Sequence, residues 1–420
     1  MSKATSEPSG VKAPDALAPL LQNPSLKHIF AAIDRDGEET RIVGGALRNA
    51  LLGRDVHEID LATTAPPDLI VQRARAAGLR SIPTGISHGT VTLLVEGEPF
   101  EVTSLREDIE TDGRHASVRF GRDFRTDALR RDFTMNALFL AQDGRLFDYV
   151  GGLDDIAAKK LRFIGEPARR IREDYLRILR FFRFSADFGE GPLDSAGLLA
   201  AMREREGLAR LSRERVRAEL LKFLVARRAV EVAQEMTDAG LLGPLLASAP
   251  NPARLRRVAA NIAGGRPDAL MSLAALSLNL PEDAERLAQR LRLSNAEHQR
   301  LERAAVALTS LHGRYEAPGQ DELRRLLFLH GRQAAQDALL LAEADAGSAA
   351  PWINARVFLQ EAPEPRLPFA GVDLLSRGLV SSKAVGEVLN DLKDRWIKAG
   401  FPDDPDQLAR MLDEAIERAR

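Results

Sequence analysis

The sequence predicts an α+β protein, with a mixed α/β head followed by an all-α body. Three observations carry this. Between residues 41 and 105, short apolar runs with strand-like alternation are separated by glycine pairs and helical segments. From Pro167 onward the apolar residues recur at three- and four-residue spacing, the period of a helix face. Aromatic residues make up only 5% of the chain, which favours Ala/Leu helix packing over a β-sandwich.

Residues 1–24 are polar and rich in Pro, Ser and Ala, and read as a flexible leader. The stretch RIVGGALRNALLGRDVHEIDLATT (41–64) follows, and the rest of the head is organised around it. It reads as a strand, the pair Gly44-Gly45, a helical segment with Arg48 on its first turn, and a second strand bearing Glu58 and Asp60. Residues two apart on a strand share a face, so the two carboxylates are expected to point together. Pro66-Pro67 opens a helix closed by Gly78. TVTLLV (90–95) and FEVTSL (100–105) flank a turn, which predicts a hairpin with Glu101 and Thr103 on one face. Residues 106–127 read as a loop rich in Gly, Arg and Asp. ALRRDFTMNALFLA (128–141), the Asp143-Gly144 turn and LFDYV complete the head.

Beyond the head, Pro167 suits a helix first turn, and ARRIREDYLRILRFFRF has helical spacing with Ile171, Tyr175, Ile178, Leu179 and Phe182 as its apolar stripe. Asp174 and Arg177 lie one turn apart on its flank. Ser212 is a candidate N-cap for a helix to about Arg228. The remainder is Ala/Leu/Arg/Glu-rich and helical, punctuated at Pro250, Pro281, Pro318 and Pro363–Pro368.

Composition narrows the chemistry. There is no cysteine, so disulfides, thiolate metal sites and cysteine nucleophiles are excluded. The seven histidines are scattered without a His-Asp doublet, and His88 sits in the GISHGT segment. Net charge is −2, yet residues 201–230 hold nine Lys/Arg against four Glu, a locally basic surface. No segment has the length and apolarity to cross a bilayer, and a cytoplasmic protein is expected.

Each candidate site motif has two readings. Gly44-Gly45 with Arg48 is either a tight strand-to-helix turn or a cradle for a triphosphate. Glu58 and Asp60 are solvated surface charges or, joined by Glu101 from a neighbouring strand, a site for Mg²⁺ that relieves their mutual repulsion. Arg130-Arg131-Asp132 is a charge cluster at a helix edge or a phosphate-binding group. Asp174 with Arg177 is an i,i+3 ion pair or an acceptor-donor set for the edge of a base.

Taken in order, GGALR, HEIDLATT, TGISHGT, FEVTSLRED, RRDFTMNAL, FDYVGGLDD, RIREDYLRILRFFRF and LSRERVRAEL resemble the class II tRNA nucleotidyltransferases, the CCA-adding enzymes, whose superfamily includes bacterial poly(A) polymerases. The resemblance covers about Arg41 to Leu224, with a weaker echo in GVDLLSRGLV and around Trp396. It implies a polymerase-β-like nucleotidyltransferase head over 25–150, a helical neck over 151–230 and a tRNA-binding body and tail over 231–420. It implies addition of C, C and A to the tRNA 3′ end from CTP and ATP, with Mg²⁺ as cofactor and two metal ions in catalysis. Gly44, Gly45 and Arg48 would hold the triphosphate, and Glu58, Asp60 and Glu101 would be the catalytic carboxylates, the first two ligating metal. Arg130, Arg131 and Asp132 would contact ribose and phosphate, and Asp174 and Arg177 would read the base. Two positions depart from the family pattern: Asn49 and Glu58 stand where Asp is usual. Poly(A) polymerase, an A-only or CC-only enzyme, and a non-catalytic RNA-binding protein on the same fold are the alternatives.

Overall fold

Alternating apolar residues build one eight-stranded sheet. Its strands in chain order are β1 (Val11–Lys12), β2 (Thr40–Val43), β3 (Asp60–Thr63), β4 (Arg80–Gly85), β5 (Thr90–Val95), β6 (Glu98–Ser104), then, after a separate two-stranded ribbon of β7 (Arg106–Asp112) and β8 (His115–Phe120), β9 (Leu138–Ala141) and β10 (Arg145–Asp148). The spatial order is β1-β10-β9-β2-β3-β6-β5-β4, with β3 and β6 parallel and the other pairings antiparallel. The computed structural model describes residues 10–86, 89–112, 115–262, 267–347, 350–379 and 382–419. They fall into two units that divide between Val232 and Ala233.

In the first unit, helices α1 (Ala18–Gln22), α2 (Pro24–Ile33), α3 (Gly45–Leu51), α4 (Pro67–Ala76), α5 (Phe124–Arg130) and α6 (Gly152–Ala157) accompany the sheet. The helices α7 (Pro167–Glu173), α8 (Leu176–Phe188), α9 (Ser195–Arg203) and α10 (Arg213–Leu224) follow, and α11 (Ala229–Asp238) spans the division. Burial follows the period that the sequence shows. Along β5 buried and half-buried residues alternate, while all four residues of β2 are buried, as in a central strand. The neck stripe packs as expected, with Ile171, Ile178 and Phe182 at 0% exposure.

Several expectations are corrected. Residues 10–24 of the leader are structured, because Val11 and Lys12 pair with β10 and Leu17 and Leu20 are buried; Leu17, Leu20 and Leu21 alone make too short a pattern to mark an element. Residues 106–127 are not a plain loop: they form the β7–β8 ribbon and the start of α5. The stretch is dominated by charged and small polar residues, with only the short alternation of Ala116, Val118 and Phe120 to mark a strand. β4 likewise went unread. The neck segment is two helices, broken where Asp174 adopts φ −155° and ψ 108° and its Oδ1 accepts from Leu176 N–H at 3.0 Å. A short carboxylate that bonds the backbone ahead of it competes with helix continuation. Ser212 precedes α10 without a side-chain capping bond, and α10 ends at Leu224, earlier than expected.

The break is braced from outside. At Gly207, in the short 3₁₀ segment Arg205–Arg210, an added Cβ would stand 1.9 Å from Tyr175 Cδ1. Gly207→Ala is therefore expected to displace the tyrosine ring and cost about 2 kcal/mol, the usual scale of overpacking. Thermal melting checks it, and an unchanged melting temperature would refute the packing role.

The second unit is helical throughout its described residues, and the marked prolines fall at breaks: Pro250 and Pro318 lie between helices, Pro281 opens one, and residues 362–370 separate Ala350–Glu361 from Gly371–Ser376. Pro252 and Pro405, which the sequence reading does not single out, also open helices. Arg254, 1% exposed, caps the end of the helix Ala269–Ser277 by donating to the carbonyls of Ala274, Ala275 and Leu278. A guanidinium there satisfies carbonyls that the helix itself leaves open. Farther along, Leu374, Leu392, Trp396, Leu412 and Ile416 form a separate small core.

Candidate active site

β2, β3 and β6, neighbours in the middle of the sheet, bring two of the acidic groups together. β2 ends at Val43, whose partner on β3 is Asp60. Asp60 is also the register partner of Glu101 on β6. Register partners point to the same face, so these two carboxylates stand side by side, next to the turn that begins at Gly44. Gly44 has φ +78° and ψ −127°, a conformation open to glycine and closed to other residues. Its missing side chain also brings the backbone near Arg131, since a Cβ there would lie 3.6 Å from Arg131 Nη1.

The Asp60 carboxyl titrates above its usual range. Partial burial is the largest cause and Glu101 adds to it; Arg131 opposes and Glu58 adds a smaller push. The carboxylate nevertheless reaches solvent, so an ion can approach it. Glu58 is not on the strand: it lies in the irregular segment before β3, exposed, and acts on Asp60 only electrostatically. Among the described residues no three His, Cys, Asp or Glu side chains converge as a ready-made cage for an ion. What the fold supplies is a close pair with a third acid nearby. Such a set suits a divalent cation whose remaining positions are taken by water and phosphate oxygens, and a cation would relieve the repulsion that raises Asp60.

The arginines are more deeply committed than the sequence suggests. Arg48 is buried, donating from Nη1 to Asn136 Oδ1 at 2.6 Å and from Nη2 to Asn49 Oδ1 at 2.8 Å. Asp127, itself buried, accepts from both Arg130 and Arg131. Burial raises its pKa, but the two guanidinium partners together outweigh that and hold it below the usual carboxylate range. Arg131 engages Asp127 through Nε and Nη2, with Nη1 on the side of the glycine turn. Asp132 accepts from Arg180 on α8 at 2.6 and 2.9 Å and from the Phe133 N–H at 2.8 Å.

Asp174 and Arg177 face different partners. Asp174 Oδ2 accepts from Arg215 of α10 at 2.6 Å. Arg177 donates to Glu173 Oε2 at 2.6 Å and to the Arg170 carbonyl at 2.9 Å. The expected flank pair is thus two separate ion pairs at the α7–α8 break. His88 lies outside the described residues.

Comparison with known proteins bears directly on this arrangement. A model described as "Poly A polymerase head domain" matches residues 40–162, and one described as "Probable RNA and SrmB- binding site of polymerase A" matches 197–252. The mouse mitochondrial CCA tRNA nucleotidyltransferase 1 is 34% identical over 402 residues, covering 91% of this chain and 88% of the relative. The chain belongs to the tRNA nucleotidyltransferase family. The CCA-adding enzyme of Levilactobacillus brevis is 28% identical over 90% of this chain and 94% of its own. The solved CCA-adding enzyme of Bacillus stearothermophilus, in complex with CTP, superposes with a TM-score of 0.71 at 25% identity, covering 96% of this chain and 99% of that one.

Members of this family are nucleotidyltransferases that depend on metal in general. In that light Asp148, from the FDYVGG motif, has a plainly architectural place. Its two oxygens accept the N–H groups of Val150, Gly151, Gly152 and Leu153 and so start α6. Sequence reasoning missed Asn136, which holds Arg48, and Arg180, which ties α8 to Asp132 of the head; it also missed Arg183 and Glu219, which join α8 to α10, and Arg215, which joins α10 to Asp174. One signal was available. Arg177, Arg180 and Arg183 recur every three residues along an otherwise apolar helix, a charged stripe that burial alone does not explain.

Proposed function

We propose that this chain is a CCA-adding tRNA nucleotidyltransferase, transferring CMP and AMP from CTP and ATP to the 3′ end of tRNA with release of pyrophosphate. The observation that carries the reading is the Asp60–Glu101 register pair beside the Gly44 turn, in a chain alike to CCA-adding enzymes over nine-tenths of its length. In the reaction the RNA 3′ oxygen bonds to the α-phosphorus, the α–β bridging P–O bond breaks, and its electron pair leaves with pyrophosphate. The 3′ hydroxyl proton passes to solvent. Asp60, with Glu58 and Glu101, would hold Mg²⁺, which when bound lowers the charge on the triphosphate and favours the 3′ alkoxide. Gly44, Gly45, Arg48 and Arg131 meet the triphosphate, Arg130 and Asp132 belong to the ribose side, and Asp174 and Arg177 address the base. On their Watson–Crick edges cytosine and adenine both present an exocyclic amine beside an unprotonated ring nitrogen, which a carboxylate and a guanidinium satisfy; on that edge guanine and uracil present a carbonyl beside a ring N–H instead. The head, neck, and body with tail correspond to residues 25–150, 151–230 and 231–420, with the last two contributing the RNA-binding surface.

The test is incorporation of labelled CTP and ATP, with Mg²⁺, into tRNA lacking its terminal CCA. Three added nucleotides ending in A are expected. Long tracts from ATP alone would replace this reading with poly(A) synthesis, and tRNA binding without pyrophosphate release would replace it with a non-catalytic role. Glu58 offers a sharper test of the metal set. Because it stands outside β3, its extra methylene supplies reach, and Glu58→Asp is expected to raise the Mg²⁺ concentration for half-maximal rate about threefold or more. A lowered requirement would mean that the segment before β3 is strand-like when metal is bound.

A further inference from the structure

Arg48 is only 7% exposed, and the oxygens it donates to, on Asn49 and Asn136, belong to neutral amides. Among the described residues no carboxylate lies within ion-pair distance of it. Burying a guanidinium without a counter-charge is costly, so this neutrality calls for an explanation. The surroundings make the imbalance explicit. Asp132 is taken by Arg180, Glu219 by Arg183, and Asp187 lies 4.0 Å from Arg183. Arg54 shares the same ring, its Cζ 4.5 Å from the centre of Phe188, while Arg48 Cζ stands 4.0 Å from that centre. Arg48, Arg54, Arg180 and Arg183 therefore meet Asp132, Asp187 and Glu219, four guanidiniums against three carboxylates. The excess positive charge rests beside the glycine turn, because a Cβ on Gly45 would lie 3.5 Å from Arg48 Nη2.

We propose that Asn49 and Phe188 are positioning residues that hold Arg48 as an unneutralised cation, so that the charge completing the cluster is the triphosphate of the incoming nucleotide. Asn49 orients the guanidinium through its Oδ1 without cancelling its charge, and its amide is itself anchored on the Asp55 carbonyl at 3.2 Å. Phe188 supplies an aromatic face, which likewise attracts a guanidinium without neutralising it. Burial, and then Arg183, push the Arg48 pKa down to about 10, against the pull of Asp132 and Asp187; it remains charged at neutral pH. Where the family motif has Asp after this arginine, the present chain with Asn49 offers one more net positive charge to a polyphosphate. The inference rests on the nucleotidyl-transfer reading for the identity of its ligand.

The experiment compares wild type, Asn49→Asp and Asn49→Ala, using inorganic tripolyphosphate binding by calorimetry beside steady-state CMP incorporation. Asn49→Asp is expected to weaken tripolyphosphate and raise the KM for CTP about tenfold, with kcat and the KM for tRNA within about twofold. Asn49→Ala removes the acceptor without adding charge and is expected to lose less than about threefold. Tripolyphosphate binding by Asn49→Asp within about twofold of wild type, or an equal loss in Asn49→Ala, overturns the charge role. If Asn49→Asp does not fold by circular dichroism, Phe188→Leu reads the same role: a KM for CTP raised about fivefold with kcat held supports it, and an unchanged KM overturns it. Wild type that fails to incorporate CMP would sink the functional reading instead, and the tripolyphosphate comparison would still judge the charge balance.

Discussion

Asp60→Ala is expected to abolish nucleotide incorporation, by about a thousandfold or more in kcat, while tRNA affinity stays within about twofold. Asp60 is the member of the acidic set coupled to both others: Glu101 is its strand partner and Glu58 acts on it through space. Without it neither remaining acid is placed to bring a cation to the glycine turn. RNA binding draws on basic surface elsewhere and does not need this carboxylate. The raised pKa of Asp60 adds a pH signature. Protonation removes a metal ligand, so Mg²⁺ affinity is expected to fall with acidity at a pH above that of an ordinary aspartate. Filter binding of tRNA beside an incorporation assay gives both numbers. Normal extension by the variant would rule out Asp60 as a metal ligand.

Asp174→Ala is expected to lower kcat/KM for CTP and ATP about a hundredfold and to let UTP and GTP compete more nearly equally. The side chain is held at two points, by the Leu176 N–H on Oδ1 and by Arg215 on Oδ2. Its position at the α7–α8 break is therefore fixed before a base arrives, and little ordering remains to oppose binding. Loss of the carboxylate also leaves Arg215 without its partner at this point, a second donor with no preference for the cytosine or adenine edge. Incorporation from mixtures of all four nucleotides measures the outcome. Retained selectivity for C and A in the variant would assign base reading to other groups.

The order of elements and the list of acidic and glycine residues were legible because they rest on local causes. Strand alternation, the need for positive φ at Gly44 and the helical stripe from Ile171 to Phe182 are each set by neighbours a few residues away. Where local signals were weak the reading failed. In the β7–β8 ribbon and around Leu17 the apolar pattern is too short to stand out: Ala116, Val118 and Phe120 in one, Leu17, Leu20 and Leu21 in the other. The helix break at Asp174 depends on one side chain bonding forward to Leu176. Glu58 was put on the strand because alternation counts residues and does not see where pairing starts, which is at Asp60.

The sequence by itself determined a strand-turn-helix-strand head with two candidate metal acids, a third on a later strand, and a helical remainder. Only the tertiary structure decided that Asp60 and Glu101 stand in register, that Arg48 is enclosed by amides and Phe188, and that Asp174 answers to Arg215 while Asp132 answers to Arg180. Asn49 aside, which adjoins Arg48, these partners lie some forty or more residues apart along the chain. Which of the many arginines neutralises which carboxylate is settled by how helices and sheet pack, since charge attraction is non-directional along a sequence and becomes specific only at contact distance.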